Sequence, residues 1–232
     1  MGREVMKNRA QQQDQHQVLA QSLAQNRVSR RQVLWLLAAG TLSACANSPV
    51  GGGSILVGMD EDEERAADRK LAPQQFSQDL GAIQDEAVNR YVSSVGQRLD
   101  ANVHRPQMPY NYRVLNANYV NAYTFPGGAM GVTRGILVDL DNEAQLAALL
   151  GHELGHVNAR HAAQRQGQAK IAQVAMSGAS LVGSLTGYGG LVDLGSQLGA
   201  SVLLSSYSRD NEREADALGQ EYMERAGYPA SG

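Results

Sequence analysis

Two histidines four residues apart, with a glutamate directly after the first, constrain this chain more than any other feature. Residues 149–156 read Leu-Leu-Gly-His-Glu-Leu-Gly-His. An α-helix turns about 100° per residue, so positions four apart return to nearly the same face about 6 Å along the axis. His152 and His156 can then both reach one zinc ion at about 2.0–2.1 Å. Glu153 points to one side of the pair, where it reaches the attacking water rather than the metal, as a general base must. The competing reading is a polar helix face with two solvated histidines. The apolar surroundings weigh against it, because imidazoles buried among leucines and glycines need partners.

The flanks support a helix. Asp141 is placed to cap its start, and Glu143 sits in the first turn, where the helix dipole favours negative charge. Leu146, Leu149 and Leu150 form an apolar stripe at helical spacing. Gly151 and Gly155 each cost a helix about 1 kcal/mol relative to alanine. Close approach of another element, or of substrate backbone, is a physical reason to keep them.

A zinc site needs more than two ligands, and composition limits the supply. Cys45 is the single cysteine of the 232 residues, which excludes an internal disulfide and thiolate clusters. The remaining ligands must be histidine or carboxylate. His161 lies about 180° round the helix from His152 and is expected to pack against a neighbour instead of sharing the metal. His16 falls in the leader, and His104 precedes the break at Pro106 and Pro109. The run from Ser208 to Asp216 supplies carboxylates. Glu212 and Asp216 are four apart and share a helical face, whereas Glu214 lies about 200° from Glu212. Glu212 is therefore the candidate third ligand. Asp216, one turn on, suits the outer nitrogen of a ligating histidine. Arg209 is placed to orient these carboxylates or, with Tyr207 as the other candidate, to stabilise an oxyanion.

Charge is divided unevenly. Residues 1–44 carry six basic and two acidic side chains, leaving fourteen basic against twenty-one acidic in the remainder. An acidic main body argues against a nucleic-acid partner. A hydrophobic content of 43% permits a real core, and an aromatic content of 5% makes that core aliphatic and rich in alanine and glycine.

Residues 1–44 read as a leader, 45–80 as a tether with a first helix, and 81–232 as the main domain, which is expected to continue past the end of this chain. Residues 1–29 are polar and glutamine-rich, the composition of a disordered segment. Arg30-Arg31, the apolar run from Val33 to Gly40, and Leu42-Ser43-Ala44-Cys45 follow the order of a secretory signal. The run is too short to span a bilayer. Leu-Ser-Ala-Cys resembles a bacterial lipobox, which implies a lipidated Cys45, a membrane anchor and a periplasmic domain. Ala46 after the cysteine points to the outer membrane. The two arginines leave Sec and twin-arginine export both open.

Residues 47–58, with three consecutive glycines, are expected to form a flexible tether, and the acidic run Asp60–Glu64 a solvated helix start. Val88, Tyr91, Val92, Val95 and Leu99 predict a helix over 85–100 with a buried stripe. Residues 110–115 alternate as a strand. Pro126-Gly127-Gly128 mark a turn between two extended pieces near a sheet edge. Such an edge is either an ordinary hairpin or a rail for an extended substrate. Ala169–Leu185 and Leu191–Leu204 read as helices around a glycine-rich loop, either buried or a mobile cover over a cleft.

Together, His-Glu-Leu-Gly-His-Val-Asn-Ala-Arg-His and Ser-Arg-Asp-Asn-Glu-Arg-Glu-Ala-Asp resemble the M48 family of zinc metallopeptidases. Asn121-Ala-Tyr-Thr-Phe-Pro-Gly-Gly resembles its bacterial periplasmic branch. The resemblance runs from about Asp60 to Gly232. It implies an α+β gluzincin-type fold, mostly helical, with a small sheet over the active helix. It implies one Zn2+ per chain on His152, His156 and Glu212, with Glu153 as base and Asp216 beside the ligands. The implied activity is endopeptidase cleavage of extended polypeptides, among them misfolded envelope proteins, in contact with envelope assembly machinery. Members of that branch continue into a helical repeat domain and a further histidine able to plug the zinc; neither lies within these residues, which read either as a fragment or as a short, constitutively open form. The rival is a zinc-stabilised chaperone or binding module that cuts little.

Overall fold

A computed structural model describes residues 45–172 and 207–229. It opens with an antiparallel hairpin, β1 (Cys45–Asn47) and β2 (Ser54–Leu56). Two helices follow, α1 (Glu61–Gln78) and α2 (Glu86–Asp100). Then come β3 (Asn111–Leu115), β4 (Ala122–Thr124), β5 (Ala129–Thr133) and the short α3 (Arg134–Leu137). The two long helices of the site are α4 (Glu143–Asn158) and α5 (Arg209–Arg225). Residues 161–172 are also helical. No helix among the described residues is long and apolar enough to cross a membrane. The predicted leader and signal, residues 1–44, and most of the two helices expected between 169 and 204 lie outside the described residues.

The three-stranded sheet has the order β3-β5-β4, with β5 parallel to β3 and antiparallel to β4. β5 is the central strand and is buried throughout. β4 pairs on one side alone, so the edge anticipated from the Pro-Gly-Gly turn is present, and it lies beside α4. Gly128 closes the turn at φ +101°, and a Cβ there would meet Tyr110 at 2.9 Å, so the turn needs glycine for both conformation and space.

One aliphatic core joins the layers. Val92, Val95 and Leu99 of α2, Val114 of β3, Val132 of β5, Leu146, Leu150 and Leu154 of α4, and Leu218 and Tyr222 of α5 are all buried in it. Tyr91 departs from the expected stripe: it stays half-exposed and donates from its hydroxyl to Glu143 at 2.9 Å.

Helix α4 starts one residue later than expected. Asn142, not Asp141, is its cap and accepts from the Gln145 N–H at 3.0 Å. The Gln145 side chain in return accepts the Asp141 N–H at 2.8 Å, so the glutamine three residues into the helix selects the cap.

The stretch expected to be a tether forms the β1–β2 hairpin. It is anchored because Val57 and Met59 bury against Ala162 and Ala163, and the Gly58 N–H donates to the Ala163 carbonyl at 2.7 Å. The acidic run is solvated only in part. Asp60 and Glu63 form a capping box on α1, but Glu64 is buried, bonded to Arg105 at 2.5 Å and to Arg160 at 3.0 Å. Arg105 also donates to the Val157 carbonyl at 2.9 Å, and its backbone N–H donates to Asn158 at 2.7 Å. With Glu61 3.3 Å from Arg105, two carboxylates face the two guanidinium groups, and this network clamps the end of α4 to α1. Arg160, at φ +60°, ends α4 and turns the chain into the next helix.

Helices α4 and α5 form the most extensive contact between elements among the described residues. Small residues permit it. A Cβ on Gly155 would lie 2.7 Å from the Ala215 carbonyl oxygen, and one on Gly219 would lie 2.8 Å from the His152 nitrogen. The close approach that Gly151 and Gly155 implied is thus an approach of α5.

Candidate metal centre

Crossing α4 with α5 brings together the three side chains singled out by spacing. One atom each from His152, His156 and Glu212 lie within 4.8 Å of one another. The two Nε2 atoms are 3.0 Å apart, and Glu212 oxygens lie 3.4 Å from His152 Nε2 and 3.9 Å from His156 Nε2. Bonds of about 2.0–2.1 Å in a tetrahedral zinc site put neighbouring ligand atoms about 3.3–3.4 Å apart. The triangle and its nitrogen–oxygen donor set fit that ion.

The outer nitrogens are occupied as well. His152 Nδ1 lies 2.7 Å from Asp216 Oδ1. His156 Nδ1 lies 2.8 Å from His161 Nδ1, and His161 Nε2 lies 3.0 Å from Glu214. Tyr207 stacks on the His156 ring at 3.9 Å between centroids, and the Arg165 guanidinium covers the other side of Tyr207 at 3.7 Å. Both histidines therefore present Nε2 to the same point.

Glu153 is 8% exposed, beside the cluster but outside the triangle. Burial pushes its carboxyl up to about 7; the positive field of His152 opposes that shift and the charge of Glu212 reinforces it. Burial, aided by His152 and His161, lowers His156 to about 2, so its ring is neutral and free to ligate. Burial pushes the Tyr207 phenol up to about 12.

Arg209 occupies the first turn of α5, exposed, and forms no hydrogen bond or ion pair with these side chains. Nearer the site stands Tyr207, stacked on His156. His104 is remote from the cluster and bonds Tyr222 at 2.8 Å.

His161 and Glu214 stay outside the triangle, as spacing anticipated, but spacing gave no sign that they would stand directly behind His156. A helical wheel carried from His152 to His161 assumes one continuous helix, but α4 stops at Asn158 and Arg160 is left-handed. The break there sets His161 Nδ1 2.8 Å from His156 Nδ1. The signal available in the sequence was the histidine itself, an imidazole just beyond a helix already carrying two.

Two histidines and a glutamate thus converge between crossed helices, with a second carboxylate buried alongside and a sheet edge nearby, the donor set of a candidate metal centre. The sequence model of peptidase family M48 matches residues 86–232, and the chain belongs to that family. Among its relatives is a beta-barrel assembly-enhancing protease of Yersinia pestis, 31% identical over 151 residues, covering 63% of this chain and 31% of the relative. The mitochondrial metalloendopeptidase OMA1 of Arabidopsis thaliana is 26% identical over 185 residues, covering 80% of this chain and 37% of the relative. Metalloprotease LoiP of Escherichia coli is 31% identical over 128 residues, 53% of this chain and 48% of the relative. The chain spans about a third of the length of the assembly-enhancing relatives that it matches.

Proposed function

We propose that this chain is a zinc endopeptidase of the gluzincin type, acting on extended segments of misfolded or misassembled cell-envelope proteins. The observation that carries the reading is the convergence of His152, His156 and Glu212 beside a buried Glu153. In this reading those three residues hold one Zn2+, which supplies a Lewis acid that acidifies water and polarises the scissile carbonyl. Glu153 accepts the proton of the attacking water and returns it to the leaving amine, the two transfers expected of a general base beside the ligands. Asp216 accepts the His152 Nδ1 proton and keeps that Nε2 unprotonated. Edge strand β4 offers unpaired backbone groups beside α4, which suits a substrate bound as an added strand. Tyr207 is better placed than Arg209 to meet an oxyanion, since it already stacks on His156.

The envelope assignment is supported by the relatives' names and by Cys45, which is exposed at the start of β1 and follows Leu-Ser-Ala. Lipidation there would anchor the domain in the periplasm at the outer membrane.

The test measures bound zinc and casein cleavage in the purified chain and in Glu153→Gln. One zinc in each, with cleavage by the unaltered chain alone, is expected. Zinc in both without cleavage in either favours a binding module, and absence of zinc removes the reading altogether.

A further inference from the structure

Behind His156 stands a longer relay than the one behind His152. His152 meets a carboxylate directly, and that Asp216 side chain is 71% exposed. His156 is buried and meets a second imidazole instead, which in turn meets Glu214, half in solvent. His161 is almost completely enclosed, and its two ring nitrogens face His156 and Glu214.

We propose that His161 and Glu214 form a positioning pair that sets the tautomer and ring orientation of His156; the proposal rests on the metal assignment above. Proton placement decides the direction of the relay. A carboxylate accepts, so Glu214 draws the His161 proton to Nε2. His161 Nδ1 is then a bare acceptor. The neighbouring His156 Nδ1 must donate into it, which leaves the His156 Nε2 lone pair directed at His152 and Glu212. An imidazole spacer passes the preference of an accessible carboxylate to a buried ring without burying a second negative charge beside Glu153. Tyr207, stacked on the ring, fixes the plane but cannot choose the tautomer.

Three variants of the full chain separate this role from packing. His161→Phe keeps the ring volume and removes both nitrogens. His161→Gln retains an oxygen that accepts from His156 and an amide that donates to Glu214. Glu214→Ala alters a half-exposed side chain and leaves the core intact. The primary readout is zinc affinity by chelator competition, with the visible spectrum of the Co2+ form as a second readout of ligand geometry. His161→Phe is expected to weaken zinc about 10–100-fold, with the circular dichroism of the metal-free protein unchanged. His161→Gln recovers most of that loss, and Glu214→Ala weakens zinc to an intermediate degree. Wild-type affinity and Co2+ spectrum in His161→Phe, or equal losses in His161→Phe and His161→Gln, overturn the proposal. Should His161→Phe fail to fold, an unaltered affinity in Glu214→Ala overturns it instead. A parallel measurement on the unaltered chain and His156→Ala isolates the metal assignment: no zinc in the unaltered chain, or undiminished zinc in His156→Ala, is a failure of that assignment, whereas zinc held by the unaltered chain, lost in His156→Ala and weakened in the relay variants supports the pair.

Discussion

Replacing Gly155 by alanine tests the close packing that delivers Glu212 to the two histidines. The added Cβ would lie 2.7 Å from the Ala215 carbonyl oxygen and 2.8 Å from the Ala215 Cα. Both are backbone atoms of α5, so no side chain can rotate away. Ordinary contact begins near 3.4 Å, and restoring it requires α4 and α5 to separate by roughly 0.7 Å. Alanine regains about 1 kcal/mol of helix propensity. Overpacking a core costs about 1–3 kcal/mol, and a backbone obstacle belongs in the upper half of that range. The net loss is therefore about 1–2 kcal/mol, a fall in Tm of about 2–8 °C for a domain of this size. The functional loss is larger than the stability loss. Glu212 sits one turn before Ala215 on the displaced helix, and metal–ligand distances tolerate only about 0.2 Å. Thermal unfolding by circular dichroism and zinc competition against a chelator measure the two effects separately. Gly52→Ala serves as control, since nothing lies within 4 Å of a Cβ there. A Gly155→Ala protein that melts no lower than the parent and holds zinc as tightly would refute the reasoning.

Glu64→Gln leaves Arg160 buried without its countercharge and Arg105 with only the half-exposed Glu61, and is expected to destabilise by about 3–5 kcal/mol, read from urea unfolding. Zinc at a hundred times its Kd should stabilise the fold by about 2.7 kcal/mol, reversibly with a chelator and not in His156→Ala; a Tm indifferent to zinc contradicts the site. Burial, reinforced by Asp100, raises Tyr112, and burial with Asp79 raises Tyr123, both well above the usual phenol value. A raised acid contributes stability that is complete below the unfolded pKa of about 10 and disappears as pH climbs toward the folded value. Alkaline unfolding is thus expected to coincide with tyrosinate absorbance; smooth titration of every tyrosine in a still-folded protein at pH about 10 is the contrary result.

Periodicity sufficed to bring together much of the candidate site. His152, His156, Glu212 and Asp216 lie within unbroken helices, where an angle of about 100° per residue holds from one turn to the next. The same arithmetic located the stripe of Val92, Val95 and Leu99. It did not reach helix ends or segments ordered by distant contacts. Asp141 lost the cap to Asn142 because a side chain three residues into the helix, Gln145, made the choice. The glycine stretch expected to be loose is ordered by contacts with residues more than a hundred positions away.

The sequence by itself determined the candidate donor set and the faces that carry it, since both are properties of residue type and of a single helix. Family membership was legible there too, in motifs separated by fifty residues yet in order. Only the tertiary structure decided that α5 crosses α4 at glycine distance, that Glu64 is a buried anchor and not a solvated acid, and that His161 returns behind His156. Each of these depends on which backbones meet. A left-handed residue at Arg160 and a carbonyl opposite Gly155 set those meetings, and no local periodicity encodes either.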